Sequence, residues 1–306
     1  MIQAFFDQRD EQGISNRDKI TQRQRIIRRV DTTSKDQSFE ATEGHHNGVV
    51  MKDGKLIGFG IHIFNEDIYP LQSFEIYLRN CDLVGKVDLS DCPDLLFVDV
   101  YHNRLSAVDV SGAHSLRILG LQDNQIEELD VKDLAACQGI DAGMNKLTEL
   151  DVSQNGELVE LYVGDNRLTH IDLSACPKLK YFYCHNNRIE TLDTRANPLL
   201  RHLNATGNPM KRILSLAPQR EERLPLELTA KEGGYVGLKF NPVYNAQWKE
   251  TGEWQQTYYA KPCEGYLFTG WFDMEGKMLS SEEEWLDTYG TSRILSAKFE
   301  KTEAER

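Results

Sequence analysis

The sequence predicts a parallel β-solenoid with little helix, followed by a small β-rich module. Three observations predict it. Asn103, Asn124, Asn145, Asn166, Asn187 and Asn208 recur at a constant spacing of 21 residues. Apolar residues alternate ahead of each asparagine, as in Leu158-x-x-Leu161-x-Val163-x-x-Asn166-x-Leu168-x-x-Ile171-Asp172-Leu173-Ser174. After Pro218 the period stops, and aromatic runs punctuated by glycine take over, such as Gly265-Tyr266-Leu267-Phe268-Thr269-Gly270-Trp271-Phe272. A fixed period of this length marks stacked supersecondary units, none of which buries its apolar face alone.

Composition narrows the functional classes. The chain has 306 residues, 40% hydrophobic and 27% charged, with a formal net charge of −13. That balance fits a globular protein and disfavours duplex nucleic acid and anionic membrane surfaces as partners. No apolar run approaches the roughly 20 residues of a membrane-spanning helix. Asp7, Arg9, Asp10 and Glu11 follow the short segment Met1 to Phe6 at once, so the N-terminus does not read as a secretory leader. The expectation is an intracellular chain or a form without its leader. Cys81, Cys92, Cys137, Cys176, Cys184 and Cys263 form no Cys-x-x-Cys pair, and Cys137 and Cys184 fall at leucine positions of the repeat. They read as small buried thiols.

Residues 1–44 read as a charged arm or a solvated helix. Arg17, Lys19, Arg23, Arg25, Arg28 and Arg29 make a basic run, with Ile20, Ile27 and Val30 as a thin apolar stripe. Residues 45–72 read as an N-terminal cap. Val49-Val50-Met51, the turn Asp53-Gly54 and Leu56-Ile57-Gly58-Phe59 spell a hairpin, and a solenoid needs its first coil covered. The pair His45-His46 has no third ligand beside it and is read as surface, not metal-binding.

Residues 73–216 are the repeats, seven in all. The first is irregular, with Cys81 where later copies have asparagine; regular copies open at Leu95, Leu116, Cys137, Leu158, Leu179 and Leu200. Each supplies one strand whose alternating apolar residues point to one side. The asparagine amide suits the backbone groups of the turn, and the short return path leaves no room for a full helix. The aspartate of Leu-Asp-Val-Ser reads as a turn residue. Residues 217–225 are a charged linker, and 226–301 form the β-rich module, in which the polar stretch Asn241 to Gln256 has no defined shape.

The repeat resembles the leucine-rich repeat family, and its period and its closing phrase, Leu-Asp-Val-Ser with variants such as Val87-Asp88-Leu89-Ser90 and Ile171-Asp172-Leu173-Ser174, look like the short bacterial repeats of the internalin type. The resemblance implies an α/β-type, right-handed leucine-rich repeat solenoid with a parallel sheet on its concave face. Gly-Tyr-x-Phe-x-Gly-Trp and the closing Leu-x-Ala-x-Phe-Glu resemble the divergent internalin B-repeat. The family likeness implies a bacterial, secreted or cell-surface protein that binds a protein of a host or neighbouring cell, or a glycan.

The register yields a candidate surface. Outward positions line up across strands in three rows: Glu75, Phe97, Ile118, Gly139, Glu160, Tyr181, His202; Tyr77, Asp99, Gly120, Asp141, Tyr162, Tyr183, Asn204; and Arg79, Tyr101, Gln122, Gly143, Gly164, His185, Thr206. Neighbours in a row lie about 4.8 Å apart. Tyr162, Tyr181 and Tyr183 therefore cluster, edged by Glu160, His185 and His202. Phe97, Asp99 and Tyr101 form a second group, and Gly120, Gly139, Gly143 and Gly164 suggest a trough floor between them. Aromatic residues with polar flanks are what binding hot spots are made of, although tyrosine also suits strands for its own sake.

The same map assembles no paired carboxylates, phosphate loop, metal set or nucleophile–base arrangement. The expectation is a non-enzymatic protein-binding chain without cofactor or metal. An intracellular scaffold or regulator and an accessory glycan-binding protein are the alternatives.

Overall fold

The computed structural model describes residues 7–16, 18–19, 45–46, 49–52, 55–59, 81–90, 92–216, 225–244, 250–287 and 293–302. The chain divides into two compact units, Met1–Leu147 and Thr148–Arg306. Glu75, Tyr77 and Arg79 of the three rows lie outside the described residues, as do Arg17, most of the basic run after it and the turn Asp53-Gly54.

In the first unit, β1 (His45–His46), β2 (Val49–Lys52) and β3 (Lys55–Phe59) pair antiparallel. β4 (Val84–Asp88) starts the first described coil, and β5 (Phe97–Asp99) pairs parallel with β3 through Gly58↔Phe97. β6 (Arg104–Asp109) lies beside β4, while β7 (Ile118–Gly120) and β8 (Gly139–Asp141) continue the sheet from β5 in parallel.

Among residues 8–16, 18 and 19, polar side chains bond to the first coil. Asn16 Nδ2 donates to the Val84 carbonyl and its Oδ1 accepts the Val84 N–H, both at 3.0 Å. Gln8 Nε2 donates to the Lys86 carbonyl, and Lys19 is buried in an ion pair with Asp10 at 2.9 Å. These polar groups satisfy backbone at the open side of the first coil, which would otherwise go unpaired. Among the described residues, helical backbone occurs at Asp7, Asn16, Asp18 and Lys19.

The second unit begins with β9 (Glu160–Tyr162), β10 (Tyr181–Tyr183) and β12 (His202–Asn204), parallel and in register at 21 residues, with β11 (Thr191–Asp193) and β13 (Arg212–Leu216) paired on the return side. Leu158, Leu161, Leu168, Leu179 and Phe182 are fully buried, each leucine contributing about 1.5–3 kcal/mol by leaving water.

The asparagines tie coil to coil. Asn187 Nδ2 donates to the Val163, Cys184 and His185 carbonyls, and its Oδ1 accepts the Leu168 N–H at 2.8 Å. The residue before each of these asparagines is held in the left-handed region: His102, Asp123, Met144, Asp165 and Asn186 at φ 52° to 56°, and Gly207 at 70°. Aspartate, asparagine and glycine tolerate that region. The aspartate of Leu-Asp-Val-Ser closes an Asx turn, where Asp151 Oδ1 accepts the Ser153 N–H at 3.0 Å, and Asp172 does the same for the Ser174 N–H at 2.8 Å.

All six cysteines are free thiols, with Cys92 and Cys263 half-buried and the others buried. Burial pushes the Cys137 and Cys176 thiols up, to about 12 and about 11.

The module after residue 224 is joined to both sheets of the second unit. β14 (Pro225–Ala230) pairs antiparallel with β13. β15 (Gly234–Tyr244) pairs antiparallel with β12 through Leu203↔Phe240 and Asn204↔Lys239. β16 (Glu250–Pro262) follows β15 in one long ribbon, so most of the stretch from Asn241 to Gln256 is strand, bulged after Pro242. β17 (Tyr266–Phe272), β18 (Met278–Ser280), β19 (Glu284–Asp287) and β20 (Arg293–Lys301) complete two sheets, ordered β9-β10-β12-β15-β16-β19 and β11-β13-β14-β20-β17-β18. Between them lie Tyr258, Trp271, Phe268 and Phe299, with ring centroids 5.6–5.8 Å apart in successive pairs. The Trp271 indole N–H donates to the Glu282 carbonyl at 3.1 Å.

Candidate binding face

The strand register puts the second-unit residues where the repeat demands. Glu160, Tyr181 and His202 are direct neighbours, as are Tyr162, Tyr183 and Asn204. The rings pair off. Tyr162 and Tyr183 lie 5.1 Å apart at 58°, and Tyr181 stacks on His202 at 4.5 Å and 20°. All three tyrosines are half-buried, so each offers one ring face while the other rests on a neighbour.

Glu160 and His202 are not an open rim around these rings. Glu160 is 1% exposed and His202 8%. The row brings a carboxylate, a phenol and an imidazole within two strand spacings of one another, and bulky groups so close cover each other. Burial pushes the Glu160 carboxyl up to about 7, against the pull of a hydrogen bond from the Tyr162 side chain. Burial, reinforced by the neighbouring Arg201 charge, pushes the His202 imidazole down to about 4. Glu160 Oε1 is buried and has no hydrogen-bond partner among the described residues.

His185 is held by Asp165 on the neighbouring coil. Its Nε2 meets Asp165 Oδ2 at 3.1 Å, and Asn186 Nδ2 donates to the other oxygen of the same carboxylate. A Cβ on Gly164 would fall 2.3 Å from the His185 ring. The glycine is thus not an open floor: the imidazole lies in the space it leaves.

The first-unit group follows the same logic. Asp99 is 2% exposed, and its Oδ1 accepts the Tyr101 N–H at 3.2 Å, a local turn bond rather than a free carboxylate. Its carboxyl leans over Gly120, within 3.3 Å of where a Cβ would stand, and Ile118 covers Gly139. Tyr101 packs edge-on against His102 at 4.0 Å, and His102 pairs with Asp123. Phe97 and Tyr101 stay half-exposed beside Asp99. The glycine trough expected from the sequence is therefore filled at Gly120 and Gly139 by residues of adjacent strands.

The structure adds residues that the repeat map does not reach. Because β15 continues the sheet, the row of Tyr162, Tyr183 and Asn204 runs on through Lys239, Thr257 and Leu286. Gly237, Tyr259 and Glu284 are neighbours in the next row, and a Cβ on Gly237 would touch Thr206 and Tyr259. Leu286 is 51% exposed and Lys239 is exposed. Burial, with the Glu284 carboxylate beside it, holds the Tyr259 hydroxyl above its usual value. The signal was present as alternation, with Val236, Leu238 and Phe240 inward and Lys239 outward, but the partner strand lies more than 30 residues upstream.

Among the described residues no group of three or more His, Cys, Asp or Glu is placed to hold a metal, and no helix is long and apolar enough to cross a membrane.

No family model matches the chain, and no curated protein matches it. Among solved structures the chain is similar to the functional domain of InlJ from Listeria monocytogenes, which includes a cysteine ladder. Identity is 16% over 61% of this chain and 59% of that one, with a TM-score of 0.23. It is also similar to a leucine-rich repeat protein of Leptospira interrogans, at 18% identity over 39% of this chain and 45% of that one, with a TM-score of 0.27. The chain spans less than two thirds of the length of either. Likeness at this level carries no weight for fold or function, and the solenoid architecture rests on the repeat register and the strand pairing.

Proposed function

We propose that the chain is a non-enzymatic leucine-rich repeat protein of internalin type that binds a protein partner through the outward face of its repeat strands, the concave side of a right-handed solenoid. The observation that carries this reading is the paired packing of Tyr162 with Tyr183 and Tyr181 with His202 on adjacent strands. It leaves a fixed, half-buried aromatic surface. Rigid tyrosines lose little conformational freedom on binding and dominate interface energetics. Asp165, on the strand side of the same repeats, is spent on structure, held by His185 and Asn186.

By the same reading the protein acts at a bacterial surface or outside the cell, and its B-repeat-like module is fused to the repeats rather than tethered to them. One observation favours the alternative of an intracellular scaffold: all six cysteines are free thiols, two of them half-buried, a pattern of reducing compartments.

The test is a pull-down from surface-protein and cytosolic fractions with the wild-type protein and the Tyr162→Ala/Tyr183→Ala variant. The reading expects one saturable protein partner, retained by the wild type and reduced at least tenfold by the variant. Unchanged capture by a folded variant would overturn it.

A further inference from the structure

We propose that this face selects a partner carrying a basic side chain, a lysine or arginine that inserts between the tyrosines and donates to Glu160. The inference rests on the binding reading given above and names the chemistry of the partner.

Glu160 is the strongest unsettled group on the face. Its Oε1 is buried without a hydrogen-bond partner among the described residues, while the residue as a whole is 1% exposed. A buried acceptor left unpaired weakens the fold, and a donor supplied by a ligand recovers that loss. The walls around it are aromatic. Tyr162 follows on the same strand, and Tyr181 is its direct neighbour on the next. Phenol rings flanking a carboxylate suit an ammonium or guanidinium group, which is drawn to the ring faces and neutralises the acid. A neutral hydroxyl or amide would gain only the second contact. The net charge of −13 favours approach of a basic partner.

Tyr162, half-buried, hydrogen-bonds the Glu160 carboxylate through its side chain, and the incoming donor takes the unpartnered Oε1 beside it. Tyr181, stacked on His202, keeps its place as the fixed wall. Lys239 stands two strands beyond Tyr183 in the same row, about 10 Å away. It disfavours a second cation there and so favours an isolated basic residue over a polybasic run.

The groups facing Glu160 from the second-unit strands are Tyr162 and Tyr181, with His202 one strand further and the Arg201 charge next to that imidazole. The carboxyl titrates near 7 and the buried imidazole near 4. Between pH 6 and 8 the carboxyl therefore passes from mostly protonated to mostly ionised while His202 stays neutral. Binding of a cation should tighten about tenfold over that range.

The experiment uses the full chain on an array of immobilised peptides whose central residue is lysine, arginine, acetyl-lysine or norleucine, read at pH 6 and pH 8. Expected for the wild type is retention of lysine and arginine peptides, at least tenfold weaker retention of the acetyl-lysine and norleucine versions, and the rise with pH. Glu160→Gln should lose the basic preference and the pH dependence while melting no lower than wild type. Equal binding of norleucine peptides, an unaltered Glu160→Gln profile, or no retention of basic peptides by the wild type would each overturn the proposal. The Tyr162→Ala/Tyr183→Ala variant separates it from the reading beneath it. Loss of every peptide class in that variant, with Glu160→Gln unchanged, leaves the aromatic face standing and removes only the selection for charge.

Discussion

Tyr181 lies nearly flat on His202, with ring centroids 4.5 Å apart and planes 20° from parallel. The stack closes the imidazole off from water, and Glu160 on the opposite neighbour of Tyr181 is closed off as well. One tyrosine thus sits between two titratable groups that burial perturbs in opposite senses.

That arrangement predicts an unusual stability profile. The folded carboxyl of Glu160, near 7, is raised above its ordinary 4.5, so its contribution is full below 4.5 and is lost as pH rises to 7. The folded imidazole of His202, near 4, is depressed below its ordinary 6.5, so its contribution is full above 6.5 and is lost as pH falls to 4. Between about pH 4.5 and 6.5 the two slopes oppose. Glu160→Gln should unmask the histidine, with stability falling by about 1.4 kcal/mol per pH unit on acidification. His202→Gln should unmask the carboxyl, with the opposite slope. Urea denaturation at four pH values checks both; parallel profiles in all three proteins would contradict the assignment.

Gly164→Ala should push the His185 ring out of the space it occupies, since the new methyl would stand 2.3 Å from it. The cost is about 1–2 kcal/mol, modest because a side chain rather than backbone must yield. Loss of the Asp165 contact should also shift the His185 imidazole resonances. An unmoved histidine signal would show that the ring does not lie there.

Asn187→Ala should cost about 1–3 kcal/mol, because it strands the Leu168 N–H inside the coil and takes one donor each from the Val163, Cys184 and His185 carbonyls, which keep Asn166, Asn208 and the Asp165 N–H. Asp172→Ala removes an exposed turn bond of the preceding repeat and should cost under about 1 kcal/mol. Thermal melts of the two variants should therefore differ by several degrees in that order.

Removing everything after Leu216 should unfold or aggregate the remaining repeats rather than leave a shorter soluble array. The cut exposes the edges of β12 and β13, which β15 and β14 cover, and bare edges invite association. A truncated chain that stays monomeric and melts with the full-length protein would show that the module is a separable spacer.

These points mark where the sequence was legible. The spacing of the asparagines set strand register to the residue, because a coil of fixed length repeats its pairing; Tyr162↔Tyr183↔Asn204 follows from counting alone. Openness on that face was not legible. Asp99 leans over Gly120 and His185 fills Gly164, and a row map treats each side chain as standing straight out. Nor was the docking of Asn16 and Lys19 on the first coil. Polar side chains bonding to backbone leave no hydrophobic period to detect.

The central claim is that partners meet the outward strand face at the tyrosines. A photo-cross-linking amino acid placed at Thr206, beside the row of Tyr183 and Asn204, and separately at Lys178, exposed and ion-paired with Glu157 across a coil, tests it most directly. The account predicts that a partner is captured from the Thr206 position and not from Lys178. Capture from Lys178 alone would contradict it.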